Sequence, residues 1–381
     1  MKTNVTITSR SSLMPPSNHP ALRAALIGGI ALATAGVQAQ TYSLVPISPP
    51  AGTFRSGVTA INNHGVVVGH TSVWSGNTEV SGPIYMWSAG TAVALPRTWT
   101  SETPTDISDT GLIVGRGGSV DSPRAVYWQS VEGGAYVAGD WNALLPAGSP
   151  LVLRSAYGVS HDGQFVVFGA NNTVTGVMGA VVGRVEVQGM TVWTIPTIGD
   201  PPVNLLQSGA TGIHFDGTTL RLAGSCKPES SSLSHAFRWE LDVATGTTVM
   251  IGLDSRSTTA RSVNGYGSAA GYANNSLACV WYIDGTMQQL PTLGGATNQA
   301  LCINDAGFVV GRSTRSGRNS LEHAFRWHPT TGMRDLNSLM SSSDTSGIEL
   351  MAAFKINNTG QILAQGVKKN RYVNVLLTPV P

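Results

Sequence analysis

Few residues of this chain have the types and spacing that chemistry asks for. Paired carboxylates in a pocket can cleave glycosidic bonds, and three acids, Glu102, Asp106 and Asp254, fall near the starts of recurring segments where such a pair could converge. Four more, Asp109, Asp162, Asp216 and Asp305, lie in Gly-containing turns. A carboxylate there is expected to cap its own backbone, because none of the four shows the alternating Asp/Asn ligands and bidentate Glu of a calcium loop. His235 and His323 each open a His-Ala-Phe-Arg-Trp segment, where packing or edge hydrogen bonding is the expected role. In that segment Phe and Trp share one strand face, and Arg238 or Arg326 takes the other or stacks on a ring. No GxSxG, HExxH or P-loop sequence occurs, and no Cys/His cluster suggests zinc. No catalytic residue is assigned, and neither a metal nor a cofactor is expected. The candidate ligand-binding residues are aromatic: Trp74, Trp99, Tyr136 and Trp141. A ring exposed on a loop can stack on a sugar or anchor a protein partner, and 70–83, 129–150, 225–234 and 312–322 read as the long loops.

These residues are carried by a repeat. A segment Ile/Val-Asn/Ser-x-x-Gly followed by an apolar run recurs with lead residues Ile61, Ile107, Val159, Ile213, Val263, Ile303 and Ile356. Each copy reads as a hairpin whose turn is closed by Asn or Asp and whose Gly takes a positive φ. The runs after the turn, such as Val66-Val67-Val68-Gly69, are apolar on both faces, as in strands covered on both sides. A third strand follows, ending in Trp87, Trp128, Trp239, Trp281 and Trp327, and a Gly turn leads to a fourth. Four strands in about 40 to 50 residues, repeated, is the pattern of a propeller blade. The chain is therefore expected to be all-β, a propeller of about seven four-stranded blades, with six the alternative count because the third and seventh copies diverge. The seventh copy lacks a fourth strand, while 42–47 is a strand without a blade. The two are expected to pair, 42–47 with 372–378, and close the ring.

Composition narrows the function. The 381 residues include 45 Gly and 20 Pro but only 12% charged residues, against about 25% in an average domain. Lys and Arg number 23 against 21 Asp and Glu, so there is no basic surplus for nucleic acid. Lys2, Arg10 and Arg23 precede the apolar stretch Ala24–Ala35, and Val37 and Ala39 fit a cleavage site. Segment 1–39 is thus expected to be a signal peptide, leaving 40–381 as a single domain, exported to the periplasm, cell surface or medium, with no transmembrane span. Three cysteines, Cys226, Cys279 and Cys302, allow at most one disulfide, with Cys279–Cys302 the candidate pair and buried free thiols an equal alternative.

The Ile303-Asn304-Asp305-Ala306-Gly307 hairpin with Phe308-Val309-Val310-Gly311 and His323-Ala324-Phe325-Arg326-Trp327 resembles the exported bacterial HAF-repeat (extracellular repeat) proteins. The second half recurs at 235–239, and degenerate copies run over roughly 58–377. The resemblance implies export and a propeller-like repeat fold, and it supplies no catalytic residues. The expected function is that of an exported, monomeric, non-catalytic propeller that binds a glycan or an envelope protein. The alternative is a polysaccharide hydrolase or lyase with carboxylates in the central channel.

Overall fold

The computed structural model describes residues 40–380, apart from 77, 100, 120, 187–188, 196–206, 228–232, 255 and 318–320. The export segment expected over 1–39 lies outside the described residues. The chain forms seven four-stranded antiparallel sheets, the blades of a β-propeller. Strand β1 (Thr41–Pro46) precedes the first blade, made of β2 to β5 (Arg55–Ile61, Val67–Ser75, Thr78–Ser88, Thr91–Ala94). The second holds β6 to β9 (Thr103–Ile107, Ile113–Gly118, Pro123–Ser130, Tyr136–Asp140), and the third β10 to β13 (Leu151–Val159, Phe165–Asn172, Met178–Val185, Met190–Thr194). The fourth has β14 to β17 (Gln207–Phe215, Thr219–Lys227, His235–Asp242, Thr248–Gly252), and the fifth β18 to β21 (Thr258–Val263, Ala269–Ala273, Leu277–Trp281, Met287–Gln289). The sixth has β22 to β25 (Gly294–Ile303, Val309–Arg315, Glu322–His328, Gly332–Asp335) and the seventh β26 to β28 (Glu349–Ile356, Ile362–Lys368, Arg371–Val380). Two 3₁₀ turns, Trp141–Leu144 and Leu336–Leu339, follow the second and sixth blades. Among the described residues no helix is long and apolar enough to cross a membrane.

The seventh blade is completed by β1, which pairs antiparallel with β28 from Thr41↔Val380 to Pro46↔Val375. Strands some three hundred residues apart thus share one sheet, and β1 takes the outer edge that the fourth strand holds in the other blades. Blades one and seven also meet across a shared core of Ile61, Val67, Trp87, Leu363 and Leu376. Seven such clusters occur among the described residues, one between each pair of adjacent blades. This is why the second and third strands are apolar on both faces: each face is an interface.

The His-Ala-Phe-Arg-Trp strands follow from the same geometry. Phe237 and Trp239 pack toward the third blade against Phe165 and Val167. Arg238, only 3% exposed, faces the fifth, donating to the Gly267 carbonyl at 2.8 Å and pairing with Glu240 at 2.8 Å. Arg326 likewise donates to the Tyr42 hydroxyl at 2.9 Å and stacks over Phe308. The arginine side is therefore a second blade interface.

The hairpin turns do more than close. Asn62, Asn264, Asn304 and Asn357 accept backbone N–H bonds within their own turns. Their side-chain NH₂ groups donate to the next blade's turn, at the carbonyls of Ser108, Asn304, Asn357 and Asn62 respectively. An amide carries its acceptor and its donors on separate atoms, so one side chain does both jobs at once. Ser108 and Ser160 retain the cap alone. The capping expected of the turn carboxylates holds for Asp162 and Asp216. It fails for Asp109 and Asp305, which accept instead from the preceding blade's backbone, at Asn63 N (2.8 Å) and Gly265 N (2.7 Å).

Candidate functional site

The inner strands surround a narrow central cavity of ≈ 70 Å³ lined by Asp106, Arg261, Lys355, His161, His214 and Asp305, among others. Asp106 faces Lys355 at 3.7 Å and accepts from Val159 N at 3.1 Å. The Asp106 carboxylate outweighs burial and raises the Lys355 ammonium above the usual lysine range. At the hairpin end, Gly265 lacks a side chain where a Cβ would meet His214. The His214 ring crosses that gap to Asp305 at 3.4 Å.

The other two acids do not join Asp106. Glu102 is 1% exposed, accepts from Thr98 N and Trp99 N at 2.9 and 3.0 Å, and pairs with Arg97. Asp254 is held by Arg256 at 2.6 Å. Burial pushes its carboxyl up, and the Arg256 bonds more than offset this and lower it. Each acid is bound by a different partner, so no carboxylate pair of the glycosidase kind is assembled from these three.

The four aromatic candidates fare unequally. Trp141 is fully buried, its indole donating to the Val126 carbonyl at 3.1 Å and its ring packed on Tyr127 and Phe168. It belongs to the core between the second and third blades, which corrects its reading as an exposed platform. Trp99 and Tyr136 pack against the core between the first two blades, and Tyr136 donates to the Gly111 carbonyl at 3.3 Å. Trp74 alone is broadly exposed, at 53%, beside the ring of Phe54. The expected loops 70–83 and 129–150 are also corrected: β3 and β4 extend through most of the first, and β9 with a 3₁₀ turn fills much of the second.

A larger cavity of ≈ 620 Å³ lies between the second and third blades. It draws on the ends of β7 and β11, the beginnings of β8 and β12 and the middle of β10. Arg116 and Arg154 line it, and among the described residues neither guanidinium has an ion pair or a hydrogen bond. Tyr157, 39% exposed, lies over Gly169, where a Cβ would crowd its ring at 2.8 Å. Asn171 Oδ1 is buried there without a hydrogen-bond partner. Glu102 stands behind the Gly117 wall with its carboxylate engaged elsewhere.

Arg154 and Tyr157 were not among the residues singled out by sequence. Both are skipped in the pairing of β10 with β11, where the register shifts at Leu153/Ser155 and at Ala156/Gly158. A bulge adds a residue to one strand and re-aims its side chain. The available signal was the double interruption of alternation in Leu153-Arg154-Ser155-Ala156-Tyr157, together with the Gly117-Gly118 pair after Arg116.

No family model and no curated protein matches the chain. Among solved structures, it is similar to the β-propeller domain of the Trilobed protease from Pyrococcus furiosus, at 10% identity and TM-score 0.46, over 73% of this chain and 81% of that one. Prolyl oligopeptidase B from Galerina marginata aligns at 11% identity and TM-score 0.47, over 84% of this chain and 46% of that one. YCF48 bound to D1 peptide aligns at 11% and 0.44, over 90% and 96%. The chain thus spans less than half the length of the oligopeptidase.

Proposed function

We propose that this chain is an exported, monomeric, non-catalytic β-propeller of the HAF-repeat kind, binding a ligand of the cell envelope or extracellular space between its second and third blades. One observation carries the reading: the ≈ 620 Å³ cavity is lined by polar groups with no protein partner, Arg116, Arg154 and Asn171 Oδ1. Its volume falls in the range of small-ligand pockets, about 300–1,000 Å³. The acids that a hydrolase would need are by contrast engaged, Asp106 with Lys355, Glu102 with Arg97 and Asp254 with Arg256. The export part of the reading rests on the composition of 1–39, and N-terminal sequencing of the secreted protein is expected to begin at Gln40.

The test is a glycan array probed with the purified chain, alongside Tyr157→Ala and Trp74→Ala. Saturable binding weakened by Tyr157→Ala, with the bound glycan recovered at its original length, is the expected result. Shortening of the glycan would overturn the non-catalytic reading. Binding lost only in Trp74→Ala, or no saturable binding, would overturn the assignment of the pocket.

A further inference from the structure

Taking the pocket between the second and third blades as the binding site, we infer that its ligand is an acidic oligosaccharide, one whose sugar rings carry carboxylate or sulfate groups. The inference rests on the reading above and adds the chemical class.

Charge comes first. Arg116 and Arg154 approach one cavity from different blades, and among the described residues no carboxylate lines it. Arginines placed for structure in this protein look different: Arg238 pairs with Glu240, Arg256 with Asp254, and Arg221 with Asp216 at 2.6 Å. A planar guanidinium forks onto a carboxylate or sulfate with two parallel hydrogen bonds, and two of them can hold acidic groups on successive sugars. The influence of Arg116 is also felt outside the pocket. His70 is lowered by burial and then by the Arg116 charge.

A sugar also needs a flat apolar surface and partners for its hydroxyls. Tyr157 provides the surface: Gly169 lets its ring lie on β11, and the opposite face remains open, at 39% exposure. Aromatic faces of this kind receive the C–H side of a pyranose. Asn171 Oδ1 is an acceptor with no donor, which a hydroxyl satisfies at no cost to the protein. Ser101, Ser119 and Ser155 on the wall add groups that both donate and accept. A simple inorganic anion would use the arginines and leave Tyr157 and Asn171 idle.

The bulges explain how one strand delivers both kinds of group. In a regular strand Arg154 and Tyr157, three residues apart, would point to opposite faces. Each instead sits at its own register shift in β10, and the two extra residues bring cation and ring to the same cavity.

The experiment is calorimetric titration of the full chain with four probes: an oligogalacturonate, a sulfated neutral oligosaccharide, the unsulfated neutral oligosaccharide, and a poly-glutamate peptide of matched charge. Binding is expected for one or both acidic sugars, at least about tenfold tighter than for the neutral sugar and weakened by added salt. Which acidic sugar binds more tightly identifies carboxylate or sulfate as the natural group. Arg116→Gln and Arg154→Gln are each expected to weaken the acidic sugar by about tenfold or more while leaving the unfolding midpoint unchanged. Gly169→Ala, which displaces the Tyr157 ring without altering charge, is expected to weaken sugars and leave poly-glutamate unaffected. Equal affinity for acidic and neutral sugars, weakened by Tyr157→Ala, would overturn the charge inference and keep the pocket. Equal or tighter binding of poly-glutamate would overturn the saccharide assignment. Failure of all four probes would overturn the inference, and the glycan array then decides separately whether the pocket binds anything.

Discussion

The glycine that ends each apolar run has a cause visible only at the level of single atoms. A Cβ on Gly311 would run into the carbonyl of Gln299, and the same conflict recurs at Gly69 with Gly57, Gly115 with Thr103, Gly224 with Gly209 and Gly271 with Thr259. Each of these glycines pairs with the residue where the inner strand shifts register, for example Gly311 with Ala300 before the shift to Cys302. The bulge swings a carbonyl toward the neighbouring strand, and only a residue without a side chain can accept it. Gly311→Ala is therefore expected to cost about 3 kcal/mol in urea unfolding, at the upper end of overpacking. Gly285→Ala has open space and only a positive φ of 86° to oppose it, so about 1 kcal/mol is expected. Equal costs would mean that the close approach is not what selects Gly311. A second residue-scale prediction concerns acid. Burial pushes the Asp305 carboxyl up, but His214, the Gly265 N–H and Asn358 more than offset it and hold it at about 2. Because the folded value is depressed, this carboxylate contributes stability above the ordinary Asp range and loses it as pH falls from about 4 toward 2. Asp305→Asn is expected to be less stable than the parent at pH 7 and to match it near pH 2, measured by unfolding at each pH. The Ile-Asn-x-x-Gly motif announced these turns in the sequence. It did not announce that Asn62 and Asn357 reach the next blade, because that role depends on a partner some 50 residues away or at the other end of the chain.

At the scale of the element, β1 was legible for a simple reason: an apolar strand with no blade of its own and a seventh repeat one strand short answer each other. The third strands were legible through their tryptophans where they carry one; in the third blade Trp193 lies instead in the fourth strand, Met190–Thr194. Trp141 was not legible, since nothing in Asp140-Trp141-Asn142 distinguishes a loop tip from a 3₁₀ turn whose indole is folded into a blade interface. The pocket was missed on the same principle, as its residues come from two blades and Arg116, Arg154 and Tyr157 lie outside the repeated motif. Closure by β1 carries its own test through Tyr42, which is 2% exposed and accepts from Arg326 at 2.9 Å. Its main-chain carbonyl accepts from Ser341 N at 2.8 Å, tying β1 to the linker before the seventh blade. Tyr42→Phe keeps the ring and strands a buried guanidinium donor, so about 1–3 kcal/mol of stability should be lost. Tyr42→Ala adds a cavity beside Leu336 and Leu350 and is expected to cost about 3–5 kcal/mol. A negligible loss in Tyr42→Ala would show that β1 does not hold the ring together.

At the scale of the whole molecule, the described residues form seven cores with no disulfide to brace them. Cys226, Cys279 and Cys302 form no disulfide and lie buried in the fourth, fifth and sixth blades, which sets aside the candidate Cys279–Cys302 disulfide. Burial pushes the Cys279 thiol up to about 11, with the Arg256 charge pulling the other way, so it is a poor nucleophile at neutral pH. The three thiols therefore serve as reporters of how the ring opens. In a closed propeller a blade cannot leave without breaking two interfaces, and the seventh cannot leave without also releasing β1. If closure makes the ring one cooperative unit, all three cysteines should react with an aromatic disulfide reagent at one common rate, set by global opening, and that rate should rise together with urea. Cys302, 7% exposed on the narrow channel, is the most demanding case, because a bulky reagent can reach it only when the blades separate. If instead the alanine-rich contact between the fourth and fifth blades, Ala223 and Ala236 against Ala260, Ala269 and Ala273, opens on its own, Cys279 will react ahead of Cys226 and Cys302. Tyr42→Ala should then accelerate all three in the cooperative case and leave the early reaction of Cys279 unchanged in the other.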